Sequence, residues 1–348
     1  MRTLLSILAI GVEVTMMLTL VGLSKGMLED SVRRARGVGA DIMVRSTSLI
    51  SFSTVSMPQK FEEFFLKWPH VRAVTGTVVH PIGGVNTITG IELRKFNEIS
   101  GGFKYLEGGP FQEPNDVIVD DYYARQNNLR VGSTVTMLNQ NWRVCGIVEP
   151  GKLARIVVNR AVLQEATGAT NKLSTVFLKL DDPARTQDVI ASLKQKLPDY
   201  SIYSIEELAT LYSVDNVPGL KAFIGVIIGL SIVVGFLVVF LSMYTAVLER
   251  TREIGILKAL GASPAYILNV IFRETTLLAL VGSVTGILLT YGTRWAVITF
   301  IPASLTQKIV PDWWPIAAGI AVAGALLGAM YPAWKASRQD AIEALAYE

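Results

Sequence analysis

Long apolar runs punctuate the chain at four places, and a mixed block separates the first from the other three. Leu4 to Leu23 is long enough to cross the hydrocarbon core of a bilayer and contains one charge, Glu13. A cleaved leader would have a shorter apolar region and then a small-x-small site. Ser24-Lys-Gly-Met-Leu28 follows instead, so the pattern predicts an uncleaved anchor. The second run, Ala222 to Val247, is free of charge. The third begins near Pro264, with its cleanest stretch from Thr275 to Tyr291. The fourth, Pro315 to Tyr331, has Trp313 and Trp314 at one end and Trp334 at the other. As a helix this places the rings about 30 Å apart, at two membrane interfaces. The expected architecture is an α-helical membrane protein with four transmembrane helices plus a large α+β extracytoplasmic domain inserted between the first and second helices. The membrane helices are expected over 1–24, 222–247, 264–293 and 315–333, the domain over 25–221, a charged helix and loop over 248–263, a short outer loop over 294–314 and a tail over 334–348.

Within 25–221 the pattern changes to short segments of period two, separated by glycine, proline and asparagine. Asp41-Ile-Met-Val-Arg45, Val71 to Val79, Asn86 to Leu93 and Asp116-Val-Ile-Val-Asp120 read as strands. Ser56-Met-Pro58 is expected to cap a helix that runs through Leu66 and ends at Trp68-Pro69. A helix ending near Asn127 follows the Asp116 strand. Ser133 to Leu138 and Trp142 to Val148 alternate across Asn139-Gln-Asn141 as a hairpin. Thr175 to Leu180, a helix from Ala184 to Leu197, and Tyr200 to Tyr203 form a β-α-β unit, and a further helix starts near Glu206. The expectation is two lobes, with a block of about 81–170 set into a lobe built from its flanks.

The segment Glu249-Arg-Thr-Arg-Glu-Ile-Gly-Ile-Leu-Lys-Ala-Leu-Gly-Ala-Ser263 lies between the second and third apolar runs. The second membrane helix is expected to continue past Val247 into it, because Arg252, Glu253, Lys258 and Leu260 are ordinary helix formers. Ile254, Ile256, Leu257 and Leu260 give this helix an apolar side. Gly261 stands where a helix end favours a left-handed residue. Ser263-Pro264 offers an N-cap and a first-turn proline for the next helix. Two readings fit: a solvated connector, or a lever that docks into a groove of another protein.

Composition narrows the class. Of 348 residues 51% are apolar and 18% charged, and mean hydropathy is +0.41: too apolar for a typical soluble protein, too polar for a bare helix bundle. The net charge of +3 is spread out and signals no nucleic-acid partner. A lone Cys145 excludes an intrachain disulfide, and His70 and His80 lack companions for a metal centre. No catalytic residue is expected: the outer block has no Ser-His-Asp signature, and Asp120 and Asp121 read as a solvated turn or the start of a helix. Arg2, Arg250, Arg252, Lys258, Lys335 and Arg338 share one side, which the positive-inside rule makes the cytoplasm, with both termini. Arg33, Arg34 and Arg36 fall on the other side, but they precede a large translocated domain, where the rule is weak.

Inside the apolar runs, Glu13 reads first as a protonated or hydrogen-bonded acid at a helix interface, and second as a contact for a substrate head group or a coupling relay. Arg273 and Glu274 read as interfacial anchors. Gly225 and Gly229, Gly282 and Gly286, and Gly324 and Gly328 each have the spacing of close helix contacts. The first pair is expected at a dimer interface.

The stretch Arg252-Glu-Ile-Gly-Ile-Leu-Lys-Ala-Leu-Gly-Ala-Ser263 resembles the signature of FtsX-like permeases of ABC transporters. Tyr331-Pro-Ala-Trp-Lys-Ala-Ser-Arg-Gln-Asp-Ala-Ile-Glu-Ala-Leu345 resembles the family's closing motif at Pro332, Ala336, Ile342, Ala344 and Leu345, with Ala341 where proline is usual. Arg2-Thr-Leu-Leu-Ser-Ile-Leu-Ala-Ile-Gly-Val12 resembles its first span. The order of one span, an outer domain and three spans resembles the macrolide-exporter (MacB-type) branch. Asp116-Val-Ile-Val119, Leu129-Arg-Val-Gly-Ser-Thr-Val-Thr136 and Val144-Cys-Gly-Ile-Val148 are similar to the periplasmic domain of that branch. Two features depart from the family. Its members often begin with a cytoplasmic amphipathic helix, whereas this chain starts almost at the membrane. No Gly-x4-Gly-Lys-Ser/Thr phosphate loop occurs.

The resemblance implies a permease subunit in a bacterial inner membrane that works by mechanotransmission. ATP and Mg would be held by a separate cytoplasmic ATPase dimer, and the chain itself would bind no cofactor. Coupling would run through Arg252, Glu253, Ile254, Gly255, Leu257, Lys258 and Gly261, and a second permease copy, identical or not, would complete the pair. Substrate would be exported or extracted on the outer side. Membrane lipids surround the spans; a periplasmic adaptor and an outer-membrane channel stay open as further partners. The same lever in a non-transport relative would activate an envelope partner such as a cell-wall hydrolase. A membrane-anchored enzyme is the reading with least support from the residues.

Overall fold

The computed structural model describes residues 2–46, 57–83, 86–211, 219–300 and 306–339. Helix α1 (Arg2–Gly37) comes first, then β1 (Ile42–Ser46), β2 (Met57–Pro58), α2 (Phe61–Leu66), β3 (Val71–Gly83), β4 (Asn86–Ile91) and α3 (Leu93–Ser100). There follow β5 (Tyr105–Gly108), β6 (Asp116–Asp120), α4 (Asp121–Gln126), β7 (Thr134–Met137), β8 (Gln140–Val148), β9 (Ile156–Asn159), α5 (Arg160–Ala166), β10 (Lys172–Leu173) and β11 (Thr175–Leu180). The remainder is α6 (Thr186–Lys196), β12 (Tyr200–Ser204), α7 (Ile205–Leu211), α8 (Leu220–Glu249), α9 (Thr251–Ala259), α10 (Pro264–Phe300) and α11 (Trp314–Arg338). Four of these helices are long and apolar enough to cross a membrane. The chain divides into two compact units: residues 1–25, 218–297 and 307–348, and residues 26–217 with 298–306.

In the second unit the described strands form a ten-stranded sheet in the order β12-β1-β11-β3-β4-β9-β6-β8-β5, with β7 also on β8. Neighbours are antiparallel except β4 with β9 and β6 with β8. Both faces are covered, so strand residues alternate between two cores rather than between core and water. Val117 and Val119 enter one core and Ile118 the other; Ile156 and Val158 separate from Val157 in the same way. The long strand β3 binds β11 through Val71–Thr77 and β4 through Val78–Gly83, so one strand belongs to both halves of the sheet. β11, α6 and β12 make the expected β-α-β connection, with β1 lying antiparallel between the two strands.

Several local readings need correction. α2 starts at Phe61, with no side-chain cap, and Met57-Pro58 pairs with Lys172-Leu173; Ser56 lies outside the described residues. The strand from Asn86 ends at Ile91, and Leu93 opens α3. The β7–β8 hairpin turns at Leu138-Asn139, both with positive φ of 54° and 58°, rather than at Asn139-Gln140-Asn141. α3, β5, β9 and α5 had no counterpart in the sequence reading.

Two buried charge clusters fasten this unit. The Arg160 guanidinium donates to Glu62 Oε1 (2.5 Å), the Gly76 carbonyl (3.0 Å) and Glu92 Oε2 (2.9 Å). Burial opposes ionisation of Glu62, yet bonds from Arg160, Lys95 and the Gly76 N–H hold its pKa below the ordinary range. Arg155 donates to Asp30 of α1 (2.8 Å) and to Asp120 (3.2 Å), and all three side chains are buried. Asp120 also caps α4 by accepting the Tyr123 N–H at 2.8 Å.

In the membrane unit, glycine sets the distance between helices. Gly282 and Gly286 of α10 lie against Ile10, Gly11 and Val14 of α1, so close that a Cβ on Gly286 would stand 2.6 Å from the Gly11 carbonyl. The Thr15 hydroxyl donates to the Gly286 carbonyl across the same contact (3.0 Å). Gly328 of α11 meets the backbone of Phe236 and Phe240 on α8 in the same manner.

Burial raises the Asp120 carboxyl to about 6, against the pull of Arg155, the Tyr123 N–H and Arg34, with Asp30 adding to the rise. A raised acid gives stability that is complete below its ordinary range and is lost as pH rises through the folded value. Acidifying the detergent-solubilised protein from about pH 7 to about pH 5 should therefore restore about 1 kcal/mol of unfolding free energy. In Asp120→Asn, which keeps the cap, that increment should vanish; thermal unfolding followed by circular dichroism reads both.

Candidate functional site

α8 runs past Val247, as its helix formers predict, but does not continue unbroken through the charged segment. It stops at Glu249. Arg250, at φ −97° and ψ 14°, turns the backbone before α9 begins at Thr251. At its other end α9 closes as anticipated. Gly261 has φ 95°, its N–H bonds the Lys258 carbonyl (3.0 Å), and the Ala262 N–H bonds the Leu257 carbonyl (3.0 Å). These two bonds make the left-handed helix stop that glycine accepts without Cβ strain. Ser263 Oγ then accepts the Tyr266 N–H (3.2 Å) and Pro264 starts α10. The result is a short helix fixed at both ends by defined turns.

Its faces differ. Thr251, Ile254 and Gly255 are buried, whereas Arg252, Glu253, Ile256 and Leu257 are exposed and Leu260 is 80% exposed. A cleft of about 120 Å³ lies among α8, α9 and α10, walled by Met243, Val247, Ile254, Leu257, Ile267 and Ile271. At its rim Arg250 Nη1 meets Glu274 Oε2 at 3.0 Å. Lys258 donates from Nζ to the Gln339 carbonyl at 2.5 Å, directly after the end of α11. Lys335 bonds the Tyr244 hydroxyl (3.0 Å) and lies over its ring, tying α11 to α8. Pro332 and Ala336 are buried within α11; Ile342, Ala344 and Leu345 lie outside the described residues. The two sequence motifs thus meet through Lys258 and Gln339. Sequence reading missed the partners Tyr244, Glu274 and Gln339, because nothing in local spacing links residues that far apart.

The remaining candidates sit elsewhere. Among the described residues, no atom lies within 4 Å of a Cβ built on Gly225 or Gly229, so within one chain the α8 glycine pair faces open space. Glu13 is buried against α8: a Cβ on Gly235 would stand 1.9 Å from its Oε2, and its Oε1 has no hydrogen-bond partner. No cluster of metal-ligating side chains occurs among the described residues.

Comparison with known proteins adds the following. The family model for the MacB-like periplasmic core domain matches residues 3–196, and that for the FtsX-like permease C-terminal region matches residues 225–341. The chain is 26% identical over 328 residues to the macrolide export ATP-binding/permease protein MacB of Aggregatibacter actinomycetemcomitans, covering 83% of this chain and 50% of that protein. It is 35% identical over 158 residues to the uncharacterized ABC transporter permease YknZ of Bacillus subtilis (strain 168), covering 43% of this chain and 37% of that protein. The chain thus spans half or less of the length of these two relatives. The crystal structure of the periplasmic region of MacB from Actinobacillus actinomycetemcomitans aligns at a TM-score of 0.40 and 16% identity, over 53% of this chain and 97% of that one.

The glycine contacts separate two kinds of position. Gly286→Ala should destabilise the protein by about 1–3 kcal/mol, since backbone stands where the methyl must go. Gly225→Ala should leave the unfolding temperature of a single chain in detergent unchanged. Equal losses in the two variants would contradict the assignment of the contacts.

Proposed function

The chain belongs to the FtsX-like permeases with a MacB-like periplasmic core domain, and on that basis we propose that it is the membrane subunit of an ABC transporter driven by a separate ATPase. The observation that carries the reading is α9: a helix stopped at both ends, buried along Ile254 and Gly255, with Leu257 and Leu260 exposed at its tip. An apolar tip flanked by Arg252 and Glu253 suits insertion into a groove of a cytoplasmic partner. In this reading a dimer of ATPase subunits holds ATP and Mg, docks on α9 and closes on nucleotide binding.

Displacement of α9 would then pass to α8, α10 and α11, since Arg250 ties it to Glu274 and Lys258 to Gln339. A second permease copy would cover the open Gly225 and Gly229 face of α8. The 26–217 unit would lie outside the inner membrane, both termini would be cytoplasmic, and work would be done on substrate at the outer side by mechanotransmission. Support for the last step comes from the spans themselves. Across residues 4–23, 222–247, 275–291 and 315–331 Glu13 is the one charged residue, and it is buried, so these stretches offer no polar conduction path.

The test is coupling in the complete complex with its ATPase subunit. In Glu253→Ala and Gly255→Pro, the latter costing about 2 kcal/mol of helix propensity relative to glycine, ATP hydrolysis should persist. Spin-label distances between outer domains should stop responding to nucleotide, while the outer domain stays folded. Normal nucleotide-dependent distances in both variants would remove the role given to α9.

A further inference from the structure

α10 and α11 enclose a groove of about 700 Å³ that plays no part in the coupling site. Phe272 and Leu277 of α10 and Leu326 and Met330 of α11 wall it, and Asn269 and Arg273 lie toward the Pro264 end of α10. Arg273 is exposed and, among the described residues, has no ion pair, hydrogen bond or ring partner. Its neighbour Glu274 points its charge to Arg250 instead, at 3.0 Å. No acidic residue lines the groove.

Position sets what the groove meets. Arg273 stands two residues before Thr275, where an uncharged stretch begins that lasts to Thr293. It therefore lies at the edge of the hydrocarbon, on the side of α9, Lys335 and Arg338, while Leu277 and Leu326 reach inward. A guanidinium at that edge extends to the head-group level, where lipid phosphate is the anion within reach. Guanidinium binds phosphate through paired N–H donors, and the apolar walls continue from it in the direction an acyl chain runs. Basic residues on the same side enrich that leaflet surface in negatively charged lipid.

We propose that the groove between α10 and α11 is a binding site for one anionic phospholipid, its phosphate on Arg273 and Asn269 and an acyl chain along Phe272, Leu277, Leu326 and Met330. The site is independent of ATPase docking and stands or falls separately from it.

The experiment uses the full chain in nanodiscs of equimolar phosphatidylglycerol and phosphatidylcholine, released into native mass spectrometry. The wild-type protein should retain one phosphatidylglycerol in preference to phosphatidylcholine. Arg273→Gln should lower phosphatidylglycerol retention about tenfold, the loss of one charged contact, and leave phosphatidylcholine retention unchanged. Arg273→Lys should retain part of the preference. Leu326→Trp, which fills the apolar limb and leaves the charge in place, should also lower retention, and it carries the test if Arg273→Gln does not fold. Undiminished phosphatidylglycerol retention in both Arg273→Gln and Leu326→Trp would overturn the proposal. So would disulfide crosslinking of two copies through Leu277→Cys, which would show that a second chain covers the groove.

Discussion

A backbone inside hydrocarbon can bond only to itself, and this constraint organises the membrane unit. Each span must be helical throughout, so helices recognise each other by shape rather than by backbone pairing. Close approach then falls to glycine, as at Gly11, Gly282 and Gly286, and at Gly328 against Phe236. Threonine and serine hydroxyls add cross-links such as Thr15 to the Gly286 carbonyl and Ser6 to Ser242. Charges are driven to the helix ends. The segment after α8, with Arg250, Arg252, Glu253 and Lys258, is where the chain can present a charged surface between two spans. The bend at Arg250 and the glycine stop at Gly261 turn that necessity into a defined short helix.

The other unit solves the opposite problem. Water is available, but the sheet is covered on both faces, so polar groups between the layers need protein partners. Arg160 and Arg155 supply them, each bridging acids from separate elements. Breaking one partner of such a cluster leaves a buried charge, which costs more than the pair contributes. Asp30 and Asp120 share the one guanidinium of Arg155, which joins the last turns of α1 to the sheet.

Much of this was legible in the sequence where one residue type has one physical use. Gly261, Ser263 and Pro264 were read from their backbone preferences, and the four apolar runs from length alone. The turn at Arg250 was invisible, because arginine carries no signal for its dihedral angles and the flanking residues are good helix formers. The hairpin was displaced because leucine at positive φ is rare, so Asn139-Gln-Asn141 attracted the turn away from Leu138. β9 was missed because Ile156, Val157 and Val158, buried on both faces of the sheet, show no alternation of apolar with polar. The contacts of Lys258 with Gln339 and of Arg250 with Glu274 join residues distant in sequence, and only the fold brings them together.

The central claim is that α9 is where force enters from an ATPase. A photoreactive amino acid in place of Leu260, the most exposed apolar side chain of this segment, tests it most directly in cells producing the intact transporter. The account predicts an adduct with an ABC ATPase subunit whose yield changes when ATP is trapped. An adduct only with lipid, with the ATPase crosslinking elsewhere on the chain, would contradict it.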